Sequence, residues 1–187
     1  MAGIYIHIPY CKQKCTYCNF HFSTNTKSIN EMIDAMIMEI SQSKDYLKEK
    51  NVDTIYFGGG TPSIIDVKYI ELILSKIYSI YDVKKNSEIT LELNPDDITN
   101  QKIKEYKASG INRLSIGIQS FNDADLKFMN RSHNAKQALE SIRLAKENGI
   151  ENITIDLIYG VPGLTNKLWE NNLSIINELD INHFSAY

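Results

Sequence analysis

Cysteine is nearly absent from this chain: only three of its 187 residues are Cys, all inside the stretch CKQKCTYCNF. An odd number packed into one short loop makes a poor disulfide framework, because a bond between Cys15 and Cys18 would strand Cys11. Basic charge is not in excess either. Twenty Lys and Arg stand against 23 Asp and Glu, giving a formal net charge of −3 and no basic surface to draw nucleic acid or anionic lipid. Long apolar runs are missing, none approaching the ~20 residues of a membrane span. The opening MAGIYIHIPY lacks the basic segment of an export signal, so the expectation is a cytoplasmic protein. Nor does any linker rich in Pro, Gly or Ser divide the chain, which reads as a single domain over 1–187.

What is present is alternation. Short β-branched or aromatic runs at 4–8, 54–58, 88–94, 113–119, 152–160 and 183–187 read as strands. Between them, stretches of helical period cover 29–49, 67–81, 98–108, 135–148 and 168–179. Ser28 and Glu31 have the spacing of a capping box, as do Asn134 and Gln137, and SGI and NGI place Gly110 and Gly149 where helices end. The methionines of the first helix fit ordinary core packing. Six strands and five crossover helices predict an α/β protein with a partial (β/α)6 TIM-like barrel of parallel strands. A full eight-stranded barrel needs about 250 residues, so the pattern reads as truncated after the sixth strand and the chain as part of a longer one.

In such a sheet the chemistry gathers where strands run out into the βα loops. Polar residues cluster at those ends: Cys11, Cys15 and Cys18 after the first strand, Gly58 to Pro62 after the second, Glu92 and Asn94 on the third. Gln119 and Ser120 close the fourth, Asp156 lies late in the fifth, and Tyr187 ends the sixth. Alternation puts Thr90, Glu92 and Asn94 on one face of their strand, with Ser115, Gly117, Gln119, Thr154 and Asp156 repeating the pattern on its neighbours. A carboxylate there costs several kcal/mol of desolvation unless something answers it. The plainer reading is a buried ion pair of Glu92 or Asp156 with Arg113 or Arg131.

GGGTP is neither a dinucleotide fingerprint nor a phosphate loop ending in Gly-Lys-Thr. Three glycines in a row expose backbone to the close approach of a ligand. The cysteine spacing C-x3-C-x2-C suits convergence on one metal centre. A zinc ion would need a fourth ligand, with His7 and His21 the candidates, whereas a four-iron cluster on three thiolates leaves one iron open. On residue type alone, His7, His21, His133 and His183 read more simply as surface or core histidines than as ligands.

The strings IYIHIPYCKQKCTYCNF, YFGGGTPS, LELNPDD, LSIGIQSFN and IDLIYGVPG resemble the radical S-adenosylmethionine superfamily, and within it the branch of oxygen-independent coproporphyrinogen III oxidases and haem chaperones. The resemblance spans residues 4–187. It implies that Cys11, Cys15 and Cys18 hold a [4Fe-4S] cluster, whose open iron takes S-adenosyl-L-methionine and whose electron generates a 5′-deoxyadenosyl radical. By the same resemblance Tyr5 lies near cluster and cosubstrate, and Tyr17 packs on the adenine side. Gly59, Gly60 and Thr61 hold the methionyl amino group, while Glu92, Gln119, Arg131 and Asp156 contact the ribose and methionyl parts. The implied partners are a reduced flavodoxin or ferredoxin-like electron donor, with either haem-accepting proteins or a porphyrinogen substrate.

Coproporphyrinogen oxidases of this branch continue C-x3-C-x2-C-x-C, and Phe20 stands where that further cysteine would be. This departure and the start directly at the first strand favour the haem-chaperone side, which binds haem and delivers it to haem proteins. Radical oxidative decarboxylation of propionate side chains in porphyrin biosynthesis is the alternative. A zinc-stabilised, non-catalytic interaction module is the rival of another class.

Overall fold

The computed structural model describes residues 2–187. Its strands are β1 (Gly3–Ile8), β2 (Asn51–Gly59), β3 (Asp82–Leu93), β4 (Arg113–Gln119), β5 (Ile153–Leu157) and β6 (His183–Ala186). The helices are α1 (Ile29–Gln42), α2 (Val67–Tyr78), α3 (Asn100–Ala108), α4 (Asp123–Phe128), α5 (Ala135–Glu147) and α6 (Asn166–Glu178). The six strands form one sheet in the order β1-β2-β3-β4-β5-β6, every pair parallel. Parallel crossovers are almost always right-handed, so a sheet laid down in strict sequence order carries all its helices on one face and curls as a barrel wall does. This is the partial (β/α)6 barrel that the alternation predicts.

Strand residues divide accordingly. Ile55, Phe57, Leu91, Leu114, Ile116 and Ile155 pack under the helices with Ile70, Ile73, Ile103, Tyr106 and Ile142, all at most 1% exposed, in one continuous core. Burying each such side chain contributes about 1.5–3 kcal/mol. The opposite face is polar and in register: Tyr5, Tyr56, Thr90 and Arg113 make one row, Glu92, Ser115, Thr154 and His183 the next. Arg113 lies 3.4 Å from Thr90 Oγ1 and its carboxylate partner is Glu88 at 3.6 Å, so among the described residues neither it nor Arg131 forms the expected ion pair with Glu92 or Asp156.

Several boundaries differ from the expected ones for local reasons. The first helix stops at Gln42 because its apolar stripe ends at Ile40 and a run of Lys, Asp and Glu follows; a 3-10 turn, Ser43–Asp45, closes it. Ser28 makes no capping bond, since its hydroxyl meets Tyr10 Oη at 2.9 Å instead. The second helix ends at Tyr78 and not at residue 81, and β3 starts six residues before residue 88, at Asp82. The third and sixth helices begin just after capping residues Thr99 and Thr165. β5 runs Ile153–Leu157, shorter than 152–160, although Ile158 N still reaches Gln119 O at the end of β4 (2.9 Å) and Tyr159 N reaches Tyr187 O (2.8 Å). The β4–β5 crossover holds two helices, the extra one being α4, which is too short for a periodic stripe. The Asn134–Gln137 capping box forms as expected, and Gly110 and Gly149 end their helices at φ 103° and 74°.

Candidate functional site

The three cysteines sit on a loop whose two ends are tied together. Cys11 N donates to Ser23 O at 3.0 Å and Ser23 N to Pro9 O at 2.8 Å, so residues 11–22 close on themselves beside the end of β1. Remote chain then clasps the loop. Lys12 Nζ meets Asp96 at 2.7 Å and also pairs with Asp97, on the 3-10 turn Pro95–Asp97 that follows β3. On the other side, Gln13 Nε2 donates to Asn130 O (2.6 Å), Asn130 Nδ2 to Lys14 O (2.7 Å), and Thr16 N to Met129 O (3.1 Å). Asn130 holds φ at 53°, a left-handed conformation asparagine tolerates better than most residues. All three thiols are unpaired and part-exposed.

The glycine run lies directly against this loop. Gly60 N donates to Ile8 O at 2.8 Å and Thr61 N to Tyr10 O at 2.7 Å, and a Cβ on Gly60 would lie 2.6 Å from Tyr10 O. Glycine is therefore required there by a close backbone approach, not by a turn. Thr61 Oγ1 donates to Cys11 Sγ at 3.5 Å. Burial pushes the Cys11 thiol up, with that hydrogen bond working in the opposite direction.

The inner wall completes the mouth. Glu92 accepts from Tyr56 Oη at 2.7 Å and from Gly59 N at 3.1 Å; burial raises its carboxyl above the usual range while both bonds oppose the shift. Asp156 is pushed up to about 6, first by burial and then by the nearby Glu92 charge. Arg131 reaches in from the turn after α4, with donors to Cys15 Sγ (3.4 Å), Tyr17 Oη (3.2 Å), Asn94 Oδ1 and Gly117 O (both 2.7 Å). Its Nε is buried without a partner. Gln119 is held at φ 68°, where the β4–β5 register shifts, a strained conformation of the kind found at binding sites.

A cavity of about 520 Å³ is lined by every sequence-derived candidate but one: Cys11, Cys15 and Cys18; Tyr17; Gly59, Gly60 and Thr61; Glu92, Gln119, Arg131 and Asp156. Tyr5 is the exception. It stands 58% exposed beside the cavity, stacked on Tyr56 at 6.0 Å, with its hydroxyl 3.2 Å from His7 Nδ1. Among the described residues, no three His, Cys, Asp or Glu side chains surround a point that a single ion could fill. Thiolates that each take their own iron of a four-iron cube stand wider apart than ligands of one zinc.

Asn94, placed on this face by alternation, bridges Thr61 and Arg131. Two working parts escape the sequence reading: Asp96 joins Lys12 to Ser132 Oγ (2.7 Å), and Tyr56 holds Glu92. For Tyr56 a signal existed, since period-two alternation puts it on the face of Gly58 and Glu92. Nothing in the sequence announces the clasp by residues 128–130, which comes from chain more than 110 positions away. His133 donates from Nε2 to Ile118 O at 3.0 Å, is 4% exposed, and is pushed down to about 4 by burial and then by Arg131. It braces β4 and does not line the cavity.

Fold and mouth together define a parallel α/β-barrel protein whose thiols and polar side chains meet at the carboxyl ends of its strands. The Radical SAM superfamily matches residues 5–174, and the chain belongs to it, in the branch of coproporphyrinogen oxidases and haem chaperones. It is 36% identical to the haem chaperone HemW of Haemophilus influenzae, over 99% of this chain and 50% of that protein. With HemW of Lactococcus lactis the identity is 37%, over 98% and 48%. The coproporphyrinogen III oxidase HemN of Escherichia coli, described as a radical SAM enzyme, superposes with a TM-score of 0.88 at 26% identity, over 98% of this chain and 43% of that one. The chain spans about half the length of the curated relatives it matches. Superfamily membership implies a [4Fe-4S] cluster and S-adenosylmethionine.

Proposed function

We propose that this chain is the cluster- and cosubstrate-binding part of a cytoplasmic haem chaperone, which in the complete polypeptide binds haem and delivers it to haem proteins. The observation that carries this is the single cavity that joins three unpaired cysteines to the Gly59–Thr61 cradle and the polar wall of β3, β4 and β5. Identities of 31–37% to haem chaperones from several bacteria support the choice within the superfamily.

Cys11, Cys15 and Cys18 would hold the cluster as thiolates, with the iron charge compensating theirs. When bound and reduced by a flavodoxin or ferredoxin-like donor, the cluster would supply an electron for cleavage of the cosubstrate sulfonium. The rest is binding and orientation. Gly59 to Thr61 offer main chain to the methionyl end, and Glu92, hydrogen-bonded to Gly59 N, sets its carboxylate beside them for the ammonium group. Arg131, with one buried donor left over, suits the carboxylate. Asp156 and Gln119, on the neighbouring strands of the same cavity wall, would meet the ribose, and Tyr17 the adenine. Tyr5, stacked outside the cavity, would act from its rim.

Anaerobic reconstitution followed by iron and sulfide analysis tests the centre. Four irons and four sulfides per chain are expected, and replacement of any one of the three cysteines by alanine abolishes the intact centre. A chain that takes up zinc and no iron returns the interaction-module reading. The likeness to the Escherichia coli oxidase favours the second reading, decarboxylation. The complete polypeptide given coproporphyrinogen III, reductant and S-adenosylmethionine decides between them: stable haem binding without carbon dioxide release is expected, and vinyl formation overturns it.

A further inference from the structure

Tyr56 belongs to no residue set assigned so far, yet it makes the shortest contact to Glu92, Oη to Oε1 at 2.7 Å. It is held there from two sides. Its ring stacks on Tyr5 with an interplanar angle of 22°, and Gly58 opens the space all three side chains share. A Cβ at Gly58 would stand 2.9 Å from the Tyr56 ring, 3.0 Å from the Tyr5 ring and 3.1 Å from the Glu92 carboxyl carbon. The strand register makes the contact a diagonal one, because Tyr56 lies opposite Thr90 and reaches one row further toward the mouth. With Gly59 N on the other oxygen, each carboxylate oxygen is pinned by one donor. A carboxylate so fixed has its free lone pairs aimed in set directions and needs no reorganisation to receive a cation.

We propose that Tyr56 is a positioning residue that orients the Glu92 carboxylate for the ammonium group of the cosubstrate's methionyl end. This rests on the assignment of Glu92 made above. The tyrosine itself touches no ligand; it acts through the carboxylate.

The phenolic donor favours the anion that burial disfavours. Charged or titratable groups near Glu92 are Tyr5 on β1, Tyr56 on β2 and Asp156 on β5, with Arg131 across the mouth. Burial opposes its ionisation, Asp156 is the like charge nearby and Tyr5 is a neutral phenol, so losing the Tyr56 donor leaves the anion harder to keep.

The test measures binding to the reconstituted complete polypeptide of two unreactive probes, S-adenosylhomocysteine, which carries the amino and carboxylate groups, and 5′-methylthioadenosine, which carries neither. For Tyr56→Phe, affinity for the first is expected to fall about tenfold, the scale of one hydrogen bond to a charged group, with affinity for the second unchanged. The acid limb of the S-adenosylhomocysteine profile should move to higher pH, since Glu92 protonates more readily without its donor. In a cycle with Glu92→Gln, the second substitution should add little to the first. Equal loss for both probes means that Tyr56 only shapes the cavity, and overturns the proposal. Unchanged affinity for both overturns it as well. Should the unsubstituted protein bind neither probe, the cosubstrate assignment fails first and takes this inference with it.

Discussion

The two faces of the one sheet are made of alternate residues of the same strands and behave as different materials. On β3, Leu91 is 0% exposed under the helices, and its neighbour Glu92 faces the cavity with both oxygens hydrogen-bonded. The helix side is apolar and closed, so its contribution is additive burial and its tolerance is low. The inner side carries Glu92, Asp156, Arg131 and three thiols in one cavity, an arrangement that lowers stability and prepares a binding surface. A strand of period two lets one segment do both jobs, which is why stability and chemistry can be altered separately here.

The largest break in that comparison should come from the closed face. Phe57→Ala removes a side chain that is 0% exposed on β2, and the expected loss is about 3–5 kcal/mol in urea unfolding. Glu92→Gln, on the inner face, should cost less, about 1–2 kcal/mol, because glutamine keeps an acceptor for Tyr56 but puts an amide NH2 where Gly59 N needs one. Similar losses for the two would mean the faces are not mechanically distinct.

Where the faces meet, at the strand ends, Gly60→Ala comes next. Its Cβ would press on Tyr10 O at 2.6 Å and Tyr10 N at 2.9 Å, both backbone atoms that cannot swing aside. A loss of about 1–3 kcal/mol is expected, together with reduced iron retention, because the displaced backbone leads straight into Cys11. Thermal unfolding and iron analysis on the same sample check both. Stability lost with iron retention unchanged would separate the cradle from the cluster loop.

Asp156→Asn should go the other way. The Asp156 carboxyl is raised from 3.8 to about 6 in the folded protein, so its proton is held more tightly folded than unfolded. Stability from this group is therefore complete below pH 3.8 and lost as pH rises through about 6. The asparagine variant should be more stable than its parent at pH 7, by on the order of 1–2 kcal/mol after screening, and no more stable near pH 3.5. A gain that persists at low pH would place its origin in packing instead of charge.

How much of this was legible follows the same division. The apolar alternation of Ile89, Leu91 and Leu93 announced a strand and its covered face, because burial is encoded locally by period. The glycine run and the cysteines announced the mouth, because their residue types are unusual. Tyr56 does not stand out, since a tyrosine in a strand reads as ordinary β-propensity, and its Glu92 contact depends on the register between β2 and β3. Ser28 and Glu31 have the spacing of a capping box that does not form, because Tyr10 competes for the same hydroxyl. Helix α4 and the clasp that it leads into were invisible, being six residues long and joined to the cysteine loop by contacts that no local pattern records.

That clasp supplies the smallest and most selective test. Asn130 sits at φ 53°, a conformation that glycine adopts at no steric penalty, while its side chain alone donates to Lys14 O. Asn130→Gly therefore removes one tether on the cysteine loop and relaxes the backbone at the same position. The two effects should nearly cancel in global stability, within about 0.5 kcal/mol. They should not cancel at the loop, which keeps Gln13 and Thr16 bonded to the same turn but loses the reciprocal bond. Under a chelator challenge, iron should leave the variant roughly two- to tenfold faster, the range that a hydrogen bond of this class corresponds to. An unchanged rate would show that Lys12 with Asp96 and Asp97 suffices to hold the loop, and that the α4 side of the mouth only covers it.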